Sequence, residues 1–162
     1  MRTTQVLDQK GQRAALLMIL LNGFSMPLTL SAVHVALPSI ADELAMDAVL
    51  LSWVPMAYLM ASAALVLSFG RVADMFGRKR LYLIGTLGLI LTSILATCVN
   101  SGEMMIVCRL LQGVSAAMVY GTHIAIISSA YPPEQRGRMI GLTVSVIYIG
   151  LTCGPFLGGW LI

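Results

Sequence analysis

An arginine, a glutamine, a tyrosine and a histidine recur on one apolar stretch of this chain. Arg109, Gln112, Ala116, Tyr120 and His123 are spaced by three and four residues within the run 104–130. At 3.6 residues per turn, that spacing sets them on one stripe of a helix. The chemistry on offer is charge and proton handling inside a nonpolar medium. A charge at mid-membrane costs about 2.5–3.5 kcal/mol on insertion scales, so the stripe is expected to face an interior cavity rather than lipid. Arg109 lies only ~7–8 Å from the end of its run at 1.5 Å per residue, so snorkelling to the surface is the alternative. His34 sits at similar depth in the run 14–37. Histidine titrates near physiological pH and would take and release protons beside Arg109. A neutral imidazole hydrogen-bonded to a neighbouring helix is the other reading of His34, and His123 is a weaker candidate still.

A second constellation is Gly70-Arg71-Val72-Ala73-Asp74-Met75-Phe76-Gly77-Arg78-Lys79-Arg80. Asp74 falls near the C-terminal end of a helix, where the dipole disfavours an anion, and Arg78 stands one turn away to compensate. Gly77 permits a tight turn that a side chain would block. A solvated basic loop would account for the same charges. Cys98, Cys108 and Cys153 all fall in apolar runs and read as small apolar side chains, with a Cys98–Cys108 bridge open. No nucleophile–base pair, metal-ligand spacing or phosphate loop is present, so no catalytic residue, cofactor or metal is expected and the chain does not read as an enzyme.

The elements that must hold these residues follow from composition. The 162 residues are 58% hydrophobic and 10% charged, against roughly 25% charged in a soluble domain. Too few charges exist to coat a water-exposed surface, which places the chain in a membrane. Five apolar runs stand out, at about 14–37, 50–69, 81–99, 104–130 and 139–162, after a polar N-terminus of 1–13. Each approaches the ~20 residues that cross a bilayer as a helix. Nine of ten basic residues fall in alternate gaps: Arg2, Lys10 and Arg13; Arg71, Arg78, Lys79 and Arg80; Arg136 and Arg138. The other gaps carry Asp42, Glu43, Asp47 and Glu103. The expected orientation is a cytoplasmic N-terminus, with Ile162 on the outer side. The basic residues flank membrane segments and form no continuous face, so nucleic acid is not an expected partner.

With the spans in place, three motifs carry a family resemblance. The loop 70–80 resembles the G-x-x-x-D-x-x-G-R-[RK] loop of the major facilitator superfamily. Arg109-Leu110-Leu111-Gln112-Gly113 resembles the family's R-x-x-Q-G motif in helix four. Gly141, Gly150, Gly154, Pro155, Gly158 and Gly159 fit G-x8-G-x3-G-P-x2-G-G, which is similar to the antiporter motif of its drug:proton exporters. A plain glycine ridge for helix packing would explain part of that spacing. Val35-Ala36-Leu37-Pro38-Ser39-Ile40 resembles the end of helix one in the fourteen-helix drug:proton antiporters, and Pro132 and Pro133 are expected to end helix four. Those antiporters carry an acidic residue where Thr29 stands here, and none of the seven acidic residues lies mid-span.

The resemblance implies an all-α fold: a polytopic membrane helix bundle, about five transmembrane helices of a six-helix facilitator half. It implies proton-coupled secondary active efflux of small amphipathic compounds or drugs across the plasma or inner membrane. Arg109 and Gln112 would take part in proton coupling, with His34 as the substitute titrating group. Gly70, Asp74, Gly77, Arg78 and Lys79 would form the cytoplasmic gating loop, and the span-five glycines with Pro155 the antiporter motif. Partners would be lipid, protons and a small-molecule substrate, with a C-terminal half expected beyond this chain. Two alternatives stand beside it: a facilitator-family importer or uniporter, and a truncated, non-transporting membrane protein that associates with a partner.

Overall fold

The computed structural model describes residues 9–161, with side chains from residue 11 to 160. Arg2, the Lys10 side chain and Ile162, used above for orientation, lie outside the described residues. Five helices follow one another: α1 (Gln9–Glu43), α2 (Ala48–Phe76), α3 (Arg78–Ala96), α4 (Gly102–Ala130) and α5 (Pro133–Leu161). All five are long and apolar enough to cross a membrane. Their outer faces carry large apolar side chains, among them Leu67, Phe156 and Trp160, each about four-fifths exposed (81%, 78% and 82%). A water-soluble monomer does not present so much contiguous apolar surface.

The helices outrun the apolar runs because a helix need not stop where lipid does. Helix α1 continues past Leu37 through Pro38 to the acidic residues Asp42 and Glu43. Helix α3 instead ends at Ala96, which leaves Cys98 exposed in the turn that follows rather than inside a span. All three cysteines are free, so Cys98 and Cys108 form no bridge. Helix α4 ends at Ala130 before Pro132, as expected, but Pro133 opens α5. The first turn of a helix tolerates proline because its missing N–H would have no partner there.

The helix ends are fixed by local chemistry. Asp47 accepts from the Leu50 N–H at 2.7 Å and Ser101 from the Met104 N–H at 3.3 Å, capping α2 and α4. Gly77 both ends α2 and starts α3 at φ +104°, a backbone state that side chains resist.

Helix α4 is the hub. Fourteen of its residues are buried, and α2 and α3 both pack on it, while α1 packs chiefly on α5. Small residues make those approaches possible. A Cβ at Gly113 or Gly121 would run into the Tyr58 or Val66 carbonyl of α2, so the ridge Gly113–Ala117–Gly121 sets the α2–α4 distance.

The interhelix turns gather at two ends. At one, the Tyr131 hydroxyl donates to the Gln12 carbonyl at 3.2 Å, and Arg78 reaches the Ala125 carbonyl of α4 at 3.1 Å. At the other, Gly102 lies against Met46 and Leu50, within an apolar cluster that includes Val54 and Met105. The turns bearing Arg71–Arg80 and Arg136–Arg138 therefore share one end with the start of α1, and those bearing Asp42–Asp47 and Glu103 share the other.

Candidate functional site

Between α1, α3 and α4 lies a cavity of about 530 Å³, which Tyr58 of α2 also reaches. Arg109 and Gln112 supply the α4 wall, and both are buried, at 7% and 5% exposure. Arg109 thus faces the interior of the bundle. Its Nη1 donates to the Gln112 Oε1 at 3.0 Å, and the Gln112 Nε2 donates to the Ser93 Oγ of α3 at 3.3 Å. The Arg109 Nε is buried without a hydrogen-bond partner. The chain of groups holds the guanidinium in place and leaves part of its donor capacity unused.

The α1 and α3 walls have their own polar set. Asn22, Ser25 and Thr29 line the cavity from α1, and Tyr82, Thr86 and Ser93 from α3. The Asn22 amide donates to the Tyr82 Oη at 2.9 Å and to the Thr86 Oγ1 at 3.3 Å. Tyr82 in turn donates to the Met18 carbonyl at 3.0 Å, tying α3 to α1. Thr29, which stands where the antiporter resemblance has an acidic residue, is part of the wall. Apart from Thr29, neither the α1 and α3 set nor Tyr58 is singled out by sequence reasoning, although the spacing of Asn22, Ser25 and Thr29 already marks one helical face.

The two histidines lie apart from this group. His34 is on the exposed face of α1, outside the lining of the cavity, and the structure does not bring it into hydrogen-bonding distance of Arg109. His123 is buried on α4 but is not part of the lining either.

At the basic end, Asp74 Oδ1 accepts from Arg78 Nε and Nη2, both at 2.9 Å. Arg78 also donates to the Ala125 carbonyl, so one guanidinium joins the end of α2, the start of α3 and α4. Gly70 backs onto the Gly121 carbonyl, and Lys79 is exposed. On α5, Gly150, Gly154 and Gly158 lie directly on α1. An added Cβ would strike the Phe24 carbonyl at Gly150, Ser31 and the Leu28 carbonyl at Gly154, and the Ala32 backbone at Gly158. Gly141 and Gly159 have open space, and Pro155 is exposed.

These features define a multi-pass membrane protein with a largely apolar cavity between its helices, into which a few polar side chains are set. The sequence matches the Major Facilitator Superfamily over residues 19–162, and the chain belongs to that family of membrane transporters. It is 33% identical to the Methylenomycin A resistance protein of Bacillus subtilis, over 91% of this chain and 32% of that protein. It is 35% identical to the Multidrug resistance protein Stp of Mycobacterium tuberculosis, over 100% of this chain and 29% of that protein. With the Riboflavin transporter RibZ of Clostridioides difficile it shares 32% identity, over 93% of this chain and 33% of that protein. The chain spans about a third of the length of these relatives.

Proposed function

We propose that this chain forms part of a proton-coupled secondary active exporter of small amphipathic compounds, of the fourteen-helix drug:proton type. The observation that carries the reading is the buried Arg109–Gln112–Ser93 chain in the cavity wall. A charge kept inside the bundle despite its insertion cost points to transport of a charge or proton. The tight seating of Gly150, Gly154 and Gly158 on α1 supports it, since close packing there limits leak beside the cavity. Two relatives are named for drug resistance, which favours export.

In this reading Arg109 and Gln112 couple substrate to proton movement. Asp74 and Arg78, with Gly70, Gly77 and Lys79, form the gate at the basic end, which faces the cytoplasm together with the N-terminus. Gly141, Pro155 and Gly159 complete the antiporter motif on α5, outside its close contact with α1. His34 enters as the proton-coupling candidate of helix one, on the face α1 turns away from the cavity. The lipid bilayer, protons and a small-molecule substrate are the partners. Uptake is the second reading, favoured by the likeness to a riboflavin transporter.

The test uses everted vesicles carrying the complete reading frame that encodes this chain, with an inward-acid pH gradient. A panel of amphipathic cations, anions and neutral compounds is added in turn. At least one compound is expected to discharge the gradient, and Arg109→Ala to lose that discharge. If no compound does so, or if Arg109→Ala behaves like the parent, proton-coupled export through this site is wrong. Discharge only when compound and proton move in the same direction would favour uptake.

A further inference from the structure

The cavity wall carries one charged side chain among the described residues, Arg109, and no carboxylate faces it. The described acidic residues sit at helix ends and turns: Asp42, Glu43 and Asp47 at one end with Glu103, Asp74 and Glu134 at the other. Asp74 is already paired with Arg78. Arg109 is 7% exposed, so water does little to shield its charge. Its contact with Gln112 is with a neutral amide oxygen, which satisfies a donor and cancels no charge. The Nε remains without a partner. A buried cation without a counter-charge is costly and is normally found paired. Thr29, also in the wall, is a hydroxyl that donates to the Ser25 carbonyl of its own helix at 2.8 Å.

The missing counter-charge has a definite shape. A guanidinium offers parallel N–H donors in a planar fork, and a carboxylate accepts two of them at once. The rest of the wall is mostly aliphatic, with Leu30, Leu89 and Ile90 among its side chains. The volume of about 530 Å³ falls within the roughly 300–1,000 Å³ of sites for drug-sized ligands. A cationic compound would add a second positive charge beside Arg109 with nothing to offset it. We propose that the ligand of this cavity is a small amphipathic carboxylate, with its carboxylate on Arg109 and its apolar body against α1 and α3. The proposal rests on the reading of this cavity as a substrate site, but it concerns binding and is separable from the direction and coupling of transport.

The experiment compares three probes of nearly one shape: 1-naphthylacetate, its methyl ester and the 1-naphthylethylammonium cation. Saturable binding is measured on the protein from the complete reading frame, in nanodiscs of zwitterionic phosphatidylcholine. The carboxylate is expected to bind at least tenfold more tightly than the ester or the cation. Arg109→Gln is expected to erase that preference, and Arg109→Lys to keep part of it. Equal or tighter binding of the cation overturns the proposal, as does absence of saturable carboxylate binding or a preference that survives Arg109→Gln. The probe comparison on the unaltered protein decides the matter even if a variant fails to fold. Repeating it with phosphatidylglycerol in the nanodisc separates the two sources of an anion. An unchanged preference supports a small solute, and complete displacement overturns it in favour of a lipid headgroup. If the carboxylate binds as expected and no panel compound discharges a pH gradient, the export reading fails and this one stands. If an amphipathic cation alone is exported through Arg109, the outcome is reversed.

Discussion

At the scale of single residues, Arg109 and Gln112 act as a unit, because each removes a buried group the other would otherwise leave unmatched. The Arg109 Nη1 has Gln112 Oε1 at 3.0 Å, and its Nε has no partner at all. Replacing Gln112 by Leu takes away an acceptor and leaves a further donor of a buried cation empty, a loss of about 1.5–3 kcal/mol for a hydrogen bond to a charged group. Replacing Arg109 as well removes the charge that made the vacancy costly. The double variant Arg109→Leu/Gln112→Leu is therefore expected to be less destabilised than the sum of the singles, with an interaction of about 0.5–3 kcal/mol. Unfolding midpoints in mixed micelles measure all four species, and additivity would show that the pair does not function as one group. His34 illustrates how much of a site depth alone leaves open. A similar distance along their spans is all that puts it beside Arg109 in the sequence. At ~100° per residue, however, His34 is turned roughly 140° from Thr29, which lines the cavity, and so it falls outside the lining.

At the scale of elements, spacing in the sequence marked faces without naming what they meet. The five helices were legible from apolar runs, and the turn at Gly77 from a glycine just before the basic run Arg78-Lys79-Arg80. The glycines of span five were legible as a ridge, yet only the fold reveals α1 as the partner of Gly150, Gly154 and Gly158. That Asn22 and Ser25 form a wall with Thr29 is not legible in the sequence, for a physical reason. Ser25 and Thr29 each donate to a carbonyl of their own helix, at 2.8 Å, and hydroxyls satisfied in that way occur on lipid-facing and cavity-facing surfaces alike. The helix contacts divide the antiporter spacing into two sets with different expected behaviour. Gly154→Leu forces a side chain into Ser31 and the Leu28 carbonyl, so α5 must move off α1 at a cost of about 1–3 kcal/mol. Gly141→Leu and Gly159→Leu enter open space and should stay within about 0.5 kcal/mol of the parent. Thermal unfolding of the three variants checks this, and equal loss in all three would mean that the α1–α5 contact is not what the glycines serve.

At the scale of the whole molecule, the sorting of charge along the chain becomes a sorting in space. Tyr131 bonding to Gln12, and Arg78 to Ala125, hold the basic turns and the start of α1 at one end of the bundle. Gly102 against Met46 and Leu50 holds the acidic turns at the other. Cytoplasmic loops carry the excess of Lys and Arg in membrane proteins, so the end with Gln135 is expected to face the cytoplasm and the end with Cys98 to face outward. The cysteines supply a direct measurement. Cys98 is exposed in the turn after α3, whereas Cys108 is buried in α4. With Cys108 and Cys153 replaced by Ser, a membrane-impermeant maleimide added to intact cells should label Cys98. With Cys98 also replaced and Gln135→Cys introduced in the exposed first turn of α5, labelling should require permeabilised cells. Because a helix bundle with basic turns at one end admits only two ways of standing in a bilayer, the reverse pattern would invert the whole assignment. The loop of Asp74 and Arg78 would then be an outer rather than a cytoplasmic gate, and Arg109, near the acidic end of α4, would open toward the cytoplasm.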